Sequence, residues 1–142
     1  RMRRQKIGFV FQFYNLIPNL NVEENVALPL LLDGKKMKEN RARIHSILET
    51  VGLFEKRGHT PRQLSGGQQQ RVAIARALAV DPEILFADEA TGNLDSRTGG
   101  EIMALLGEVN SRQRLTILMV THSQAAAESG SRVIQVEDGV IR

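Results

Sequence analysis

A serine, two glycines and a glutamine stand where a helix is predicted to begin. The run Leu-Ser-Gly-Gly-Gln occupies residues 64–68 and leads into an apolar helical pattern over residues 72–78. Gly66 and Gly67 allow a backbone to approach a ligand closely, and Ser65 can both cap the helix and hydrogen-bond a phosphate. The helix start also offers free N–H groups and the positive end of the helix dipole. Ser-Gly-Gly alone is usually a simple turn, but the whole run predicts an anion-binding site.

Two carboxylates end a second apolar run. Ile-Leu-Phe-Ala at residues 84–87 is typical of a buried strand, and Asp88 and Glu89 follow it directly. P-loop NTPases place a magnesium-holding aspartate and an adjacent base at such a strand end. The first carboxylate would hold Mg²⁺, and the second would polarise the water that attacks a γ-phosphate. Two acids after a strand are more often a solvated cap, yet their position soon after the Ser-Gly-Gly helix favours catalysis.

Three weaker polar signals follow the same logic. Thr-His follows the apolar run at residues 115–120 and puts His122 at a strand end, and Gln12 follows the run at residues 7–11. Ligands of open α/β sheets bind at the carboxyl ends of parallel strands, so both side chains are expected near the paired acids. Asp95 comes a few residues after those acids, where it is expected to reach across a subunit boundary.

Alternating strand and helix patterns must position these side chains. Strands are predicted at residues 7–11, 84–87, 115–120 and 132–136, with a tight turn at Asp138-Gly139 into a short final strand. Helices are predicted at residues 22–32, 38–51, 98–110, and from the Ser-Gly-Gly run to about residue 80. Asn21 is expected to cap the first helix, with two glutamates in its first turn.

This order of elements predicts an α/β fold with a mostly parallel sheet flanked by helices. Residues 1–14 would supply the first strand and its polar end. Residues 15–80 would form an inserted helical subdomain that carries the Ser-Gly-Gly run, and residues 81–142 the C-terminal part of the α/β core.

The composition is that of an ordinary globular protein, with 42% apolar and 25% charged residues among 142. No apolar stretch approaches the roughly 18 residues of a membrane span, so membrane association is expected to run through a partner. The absence of cysteine excludes disulfides and thiolate metal sites. The basic residues Arg1, Arg3, Arg4 and Lys6 crowd the start, but aromatic residues are only 4% of the total. No nucleic-acid partner is therefore expected.

Taken together, these motifs make the chain resemble the ABC ATPase family along essentially all of its 142 residues. The matching motifs are the Q-loop glutamine (Gln12), the signature motif (residues 64–68), the Walker B strand (residues 84–88), the catalytic glutamate (Glu89), the D-loop (residues 94–95) and the switch histidine (His122). The stretches at residues 9–18 and 91–96 resemble the branch that serves lipoprotein release and macrolide export. The implied fold is a P-loop NTPase-type sheet, here incomplete, with an inserted helical subdomain.

The resemblance implies ATP as the ligand and Mg²⁺ as its cation, with ATP sandwiched between two copies in a head-to-tail dimer. The residues expected to bind ATP are Gln12, Ser65, Gly66, Gly67, Gln68 and Asp95. Asp88 and Gln12 would serve Mg²⁺, Glu89 the attacking water, and His122 the γ-phosphate.

The same resemblance implies a transmembrane permease subunit as partner. The loop after Gln12 and the helical block would receive its coupling helices. The chain would then be cytoplasmic and peripheral to the cytoplasmic face of the membrane, with its hydrolysis of ATP coupled to transport.

Two departures from the family pattern affect these expectations. No Gly-x-x-x-x-Gly-Lys-Ser/Thr loop occurs in the sequence, and Ala90 stands where the family commonly has proline. The chain is therefore expected to be the C-terminal part of such a subunit, inactive by itself. Strands without their neighbours would expose apolar surface and unpaired backbone groups, which predicts non-native self-association.

Two other function classes remain open on the sequence. A soluble ABC-type ATPase acting on nucleic acid or ribosomes would share these motifs, although the long coiled coil of chromosome ATPases is replaced by a short helical block. A non-catalytic remnant of a truncated gene is the other alternative, and the intact Glu89 and His122 argue against long-standing decay.

Overall fold

The computed structural model describes residues 7–142. The basic cluster predicted near the start, and the part of the first segment at residues 1–6, lie outside the described residues. In chain order the elements are β1 (Ile7–Phe11), α1 (Val22–Leu32), α2 (Met37–Thr50), short 3₁₀ turns at Phe54–Lys56 and Pro61–Gln63, α3 (Gly66–Leu78), β2 (Ile84–Asp88), α4 (Ser96–Gln113), β3 (Thr116–Val120), α5 (Gln124–Glu128), β4 (Val136–Glu137) and β5 (Val140–Ile141).

Three parallel strands form the sheet, in the order β1-β2-β3. Each is a five-residue run of mainly β-branched, aromatic and aliphatic residues. The crossovers between them carry the helices, as parallel pairing requires. The register sets Phe11 beside Asp88 and Asp88 beside Val120, so all three strands end at one edge. The predicted α/β fold with a mostly parallel sheet is confirmed.

The two faces of the sheet differ in how far they are covered. On one face Val10, Leu85 and Ala87 are fully buried against helices. On the other face the apolar side chains are 37–52% exposed, at Phe9, Phe11, Ile84, Leu118 and Val120. Both faces are apolar because strands of parallel sheets are normally buried on both sides. Residues 7–142 cover only one of them.

Helix α3 packs against β1 and α1 and forms the centre of the core. Its residues Val72, Ala73, Ile74 and Ala75 are completely buried. The contact with β1 requires a glycine, because a Cβ on Gly8 would lie 2.8 Å from the backbone oxygen of Ala77 in α3. This close approach sets the C-terminal end of α3 against the start of β1.

Helix α1, the first of the helical block between β1 and α3, is capped by Asn21, as predicted. The Asn21 side chain accepts a hydrogen bond from the N–H of Glu24, and the Glu24 carboxylate accepts one from the N–H of Asn21. The buried Asn25 side chain ties the preceding loop to α1 through hydrogen bonds to Ile17, Leu20 and Asn21. Among the described residues, no helix is long and apolar enough to cross a membrane.

Two predicted boundaries need correction. Helix α4 begins at Ser96 rather than at residue 98, because the side chain of Asp95 caps it. The fourth strand predicted at residues 132–136 is wrong: only Val136 of that run is in a strand. β4 instead pairs antiparallel with β5 around Asp138 and Gly139, both with positive φ. The tight turn and final strand were predicted correctly; local turn geometry outweighed the β propensity of the residues before it.

Candidate functional site

The shared edge of the sheet brings four predicted site residues together. Gln12 follows β1, Asp88 ends β2, Glu89 follows it, and His122 comes two residues after β3. Because Phe11, Asp88 and Val120 are neighbours in the parallel register, these side chains lie at one end of the sheet. We call Gln12, Asp88, Glu89 and His122 the strand-end group.

Glu89 is held from its backbone and from its side chain. Its N–H donates to the oxygen of Val120, 2.9 Å away, and its Oε1 accepts from the N–H of His122 at 2.8 Å. The His122 Nε2 lies 3.6 Å from the same oxygen. The carboxylate side chain is 19% exposed whereas the imidazole is 98% exposed. The site therefore fixes the Glu89 carboxylate and leaves the His122 imidazole exposed for contact with a ligand.

The backbone of Glu89 is in the left-handed region, with φ at 50°. This conformation costs a residue with a Cβ about 1–3 kcal/mol, and it persists only where the surroundings hold the backbone in place. The hydrogen bonds to Val120 and His122 hold Glu89 in this conformation. Strain of this kind concentrates at active sites, which supports a functional reading of Glu89.

Gln12 is locked against the turn that follows Glu89. Its Nε2 donates to Asn93 Oδ1 at 3.3 Å, and Asn93 Nδ2 donates back to the Gln12 backbone oxygen at 3.1 Å. A Cβ on Gly92 would lie 2.6 Å from the Gln12 Nε2, so a larger residue there would displace the Gln12 amide from this position. With Nε2 committed to Asn93, Oε1 of Gln12 is the amide atom left for a cation.

Magnesium fits these residues only as a site shared with a ligand. Asp88 is exposed at the end of β2, directly beside the strand that leads into Gln12. Within residues 7–142 no group of three or more His, Cys, Asp or Glu side chains could hold a metal ion. Mg²⁺ characteristically takes one or two carboxylates together with water and phosphate oxygens. One carboxylate and one amide oxygen suit that kind of site.

The predicted anion site lies at the start of α3. Ser65 is its N-cap: the Oγ accepts from the N–H of Gln68 at 3.2 Å, and the Gln68 Oε1 accepts from the N–H of Ser65 at 2.9 Å. Gly66 and Gly67 contribute N–H groups that no carbonyl of the helix can reach. We call residues 65–68 the signature region. Three of them, Ser65, Gly67 and Gln68, border a cleft of about 280 Å³ that Thr98 also lines.

Asp95 occupies the N-cap of α4 instead of reaching into the strand-end group. Its Oδ1 accepts from the N–H of Thr98 at 2.7 Å. Hydrogen bonds from the backbone and side chain of Thr98 lower the pKa of Asp95, with a smaller contribution from the charge of Arg97. The carboxylate is fully exposed and ionised on the side of the molecule that also carries the signature region.

Within the described residues, no hydrogen bond or ion pair joins the signature region to the strand-end group directly. The side chains next to the signature region are those of Tyr14, Leu94 and Thr98, which lie close to the two glycines. The chain therefore holds two separate clusters of candidate site residues rather than one.

Sequence reasoning missed the residues that connect these clusters. Gln70 is completely buried in α3 and bonds to the backbone beside Gln12 and beside Glu89. The signal was a polar side chain on the apolar stripe of a helix, since Gln70 lies three and four residues before Ala73 and Ile74. Asn93, the partner of Gln12, carried no such signal because its contact spans 81 positions of sequence.

Comparison with known proteins agrees with this geometry. A family model described as ABC transporter matches residues 1–92. An uncharacterized ABC transporter ATP-binding protein of Thermotoga maritima is 49% identical over 141 residues, which are 99% of this chain and 60% of that protein. LolD, a lipoprotein-releasing system ATP-binding protein of Syntrophus aciditrophicus, is 48% identical over 139 residues, 98% of this chain and 62% of that protein.

Solved structures show the same fold. A dimeric ATP-binding cassette in a post-hydrolysis state, bound to ADP and Pi, matches with a TM-score of 0.83 and 48% identity, over 99% of this chain and 62% of that one. A dimeric bacterial ABC transporter cassette matches with a TM-score of 0.84 and 49% identity over the same shares. The chain thus spans 60–62% of the length of these relatives.

Proposed function

Because the chain belongs to the ABC transporter family of ATP-binding proteins, we propose that it supplies the water-activating and signature parts of a subunit whose ATP hydrolysis drives transport across a membrane. The observation that carries the proposal is the strand-end group, in which a constrained glutamate and an exposed histidine meet at the carboxyl ends of parallel strands. We assign hydrolysis to the complete polypeptide that contains these residues.

ATP, when bound, supplies a γ-phosphate that water can attack, with ADP as the leaving group. Glu89 accepts a proton from that water as general base. Its Oε1 is held by the N–H of His122, so Oε2 is the oxygen that faces the water. The exposed imidazole of His122 donates a hydrogen bond to the γ-phosphate and so orients it toward the same position.

Asp88 and the Gln12 amide oxygen hold Mg²⁺, which, when bound, neutralises charge on the phosphates. The amide pair between Gln12 and Asn93 orients the first of these side chains before any ligand arrives. Preorganised groups of this kind stabilise developing charge without having to rearrange.

The signature region serves the nucleotide of a second copy of the chain. Ser65, Gly66, Gly67 and Gln68 present the N–H groups and the positive dipole end of α3 to its terminal phosphate. Asp95 lies at the same side and contacts that second copy. Two similar cassettes are dimeric, which supports the pairing of two copies; the head-to-tail arrangement is part of the proposal.

A transmembrane permease subunit is the proposed membrane partner, and the subunit lies against the cytoplasmic face through it. The similarity to a lipoprotein-releasing ATP-binding protein supports export over import. The proposed docking surface for the permease is the loop after Gln12 together with the helical block at residues 15–80, which separates the segment at residues 1–14 from the core at residues 81–142. The open apolar face of the sheet supports a separate, non-native self-association of the 142-residue chain alone.

Replacement of Glu89 by glutamine tests the proposal. In the complete polypeptide, Glu89→Gln should lower ATP hydrolysis about 10²–10⁴-fold, because an amide cannot accept the proton. ATP binding should persist, since the amide oxygen can still accept the hydrogen bond from His122. The rate is measured by phosphate release and binding by equilibrium titration.

Glu108→Gln is the matched control, because Glu108 is a surface residue of α4 and its one ion pair within residues 7–142 is with Arg112. It should leave the rate unchanged. Retention of the parental rate by Glu89→Gln would remove Glu89 as the base and the proposal with it.

A further inference from the structure

A single buried amide of α3 bonds to two backbone segments that carry residues of the strand-end group. Gln70 lies five residues after the cap of α3 and is completely buried. Its Nε2 donates to the backbone oxygen of Phe11 at 3.2 Å, and also to the backbone oxygen of Ala90. Phe11 directly precedes Gln12, and Ala90 directly follows Glu89. One side chain thus fixes the backbone next to two proposed site residues.

One of the two carbonyl groups is at the end of a strand and the other is in a turn. Phe11 is the last residue of β1, and Ala90 is in the turn that leaves the left-handed Glu89. Ala90 is buried, so water cannot replace the amide donor there. The donor must come from a side chain, and Gln70 is the one that reaches both oxygens.

The oxygen of the Gln70 amide differs from its nitrogen in making no hydrogen bond within the described part of the chain. The Gln70 Oε1 is buried and has no hydrogen-bond partner among residues 7–142. A buried acceptor without a partner is unfavourable, and an apolar side chain of similar size would avoid the loss. The retention of glutamine therefore points to the two bonds made by Nε2.

A second side chain of α3 holds the same segment further along. Arg76 donates to the backbone oxygen of Tyr14 at 2.8 Å and to that of Asn15 at 2.7 Å. Burial lowers the pKa of this guanidinium, so its position is not that of a loose surface residue. Helix α3 therefore contacts the chain on both sides of Gln12.

The neighbouring Gln69 makes the same number of bonds without this connection. Its Nε2 donates to the backbone oxygens of Pro61 at 3.1 Å and Leu64 at 3.3 Å. Those residues are five and eight positions away in the same helical block, whereas Phe11 is 59 positions from Gln70. Among residues 7–142, Gln69 therefore bonds only within the helical block, whereas Gln70 connects α3 to the strand-end group.

We propose that Gln70 is a positioning residue that couples the signature region of a subunit to the Gln12 and Glu89 of the same subunit. In the head-to-tail dimer, the signature region contacts the phosphate of one nucleotide and the strand-end group acts on the other. Gln70 then links the two nucleotide sites: docking of α3 on one phosphate sets the backbone beside the base of the second. The inference rests on the proposed function.

The test compares Gln70→Met with Gln69→Met in the complete polypeptide. Methionine keeps the length of the side chain and removes both amide donors in each variant. Amide hydrogen exchange of the ligand-free protein is measured at residues 89–93, and kcat and KM for ATP are measured in steady state. Gln70→Asn, one methylene shorter, is measured in the same way and replaces the methionine variant if that does not fold.

Exchange at residues 89–93 should be about tenfold faster in Gln70→Met than in Gln69→Met, because the turn loses its tether. The kcat should fall about tenfold with KM changed less than about twofold, because binding groups stay in place while the base is misaligned. Gln69→Met should match the parent in both measurements.

Equal exchange and equal kcat in the two methionine variants would overturn the inference, as would a parallel rise in KM. Hydrolysis by the parent protein decides the proposed function separately. A parent that hydrolyses ATP, with a Gln70 variant that does so equally well, rejects only the role of Gln70. A parent that cannot hydrolyse ATP rejects the function and the coupling together.

Discussion

The strand-end group and the signature region are built in opposite ways. Hydrogen bonds in the first join residues that are 33 and 81 positions apart, as between Glu89 and His122 or between Gln12 and Asn93. Hydrogen bonds in the second join Ser65 and Gln68, which are three positions apart. One cluster exists because the chain folds back on itself, and the other because a helix begins there.

The two clusters also differ in how far their side chains are ordered before a ligand binds. The strand-end group is already bonded to itself, and its glutamate has a fixed orientation before any ligand arrives. The signature region offers helix-start N–H groups, and among the described residues it makes no hydrogen bond or ion pair to the strand-end group. This separation supports the proposal that one subunit supplies half of each of two sites.

The largest expected effect is the recovery of ATP hydrolysis when two inactive variants are mixed. This experiment tests directly whether the two clusters serve different nucleotides. Ser65→Asp keeps a good helix cap but places negative charge where a phosphate should dock. In the complete polypeptide, Ser65→Asp and Glu89→Gln should each lose ATP hydrolysis. Mixed dimers should regain it, because one of their two sites combines an intact signature region with an intact Glu89. Phosphate release is measured before and after mixing.

Ser65→Asn is the control for the first variant, since asparagine caps as well as aspartate and carries no charge. It should hydrolyse ATP far better than Ser65→Asp. No recovery in mixtures that form dimers would mean that both clusters serve the same nucleotide within one subunit.

A medium effect on stability is expected from Gly67. A Cβ there would lie 2.4 Å from the Thr98 Cγ2, so Gly67→Ala should lower the free energy of unfolding by about 1–3 kcal/mol. Adding Thr98→Ser removes that methyl group and should restore most of the loss. Urea denaturation of the complete polypeptide measures both changes.

Gly100→Ala is the matched control, because a Cβ on Gly100 would meet nothing within 4 Å. It should be neutral or slightly stabilising in a helix. If Gly67→Ala is equally harmless, packing does not require the second glycine of the signature region, and ligand access is the remaining reason for it.

The smallest effect concerns the pH dependence of Asp95. Because hydrogen bonds from Thr98 lower its pKa in the folded state, its contribution is present above the ordinary aspartate pKa of about 3.9 and is lost as pH falls through the lowered value. Asp95→Asn keeps the cap without titrating. The urea midpoint of the parent should therefore fall more than that of the variant between about pH 5 and pH 2.5.

Other carboxylates shift both proteins alike, so the difference between the two midpoints isolates Asp95. An identical pH dependence in parent and variant would mean that the cap does not favour the ionised form. The negative charge of Asp95 at the start of α4 would then add nothing to the stability of the folded protein.

Much of the fold was predictable because its signals are local. The strand at Ile7–Phe11 and the helix at Val22–Leu32 were predicted with their observed bounds, since apolar periodicity and the Asn21 cap act within a few residues. The hairpin at residues 136–141 shows the limit. Apolar residues before it suggested a longer strand, but no neighbouring strand in the described chain pairs with them.

The sequence by itself determined which residue types stand at each strand end and each helix start, because spacing and capping are properties of neighbouring residues. It therefore indicated Gln12, Asp88, Glu89 and His122 as candidates, and Ser65 as a cap. Only the tertiary structure decided that Glu89 takes a left-handed backbone and that Asn93 holds Gln12. It also decided that Gln70 joins α3 to the backbone of Phe11 and Ala90. Those contacts depend on the parallel register and on the packing of α3, which bring together segments separated by tens of residues.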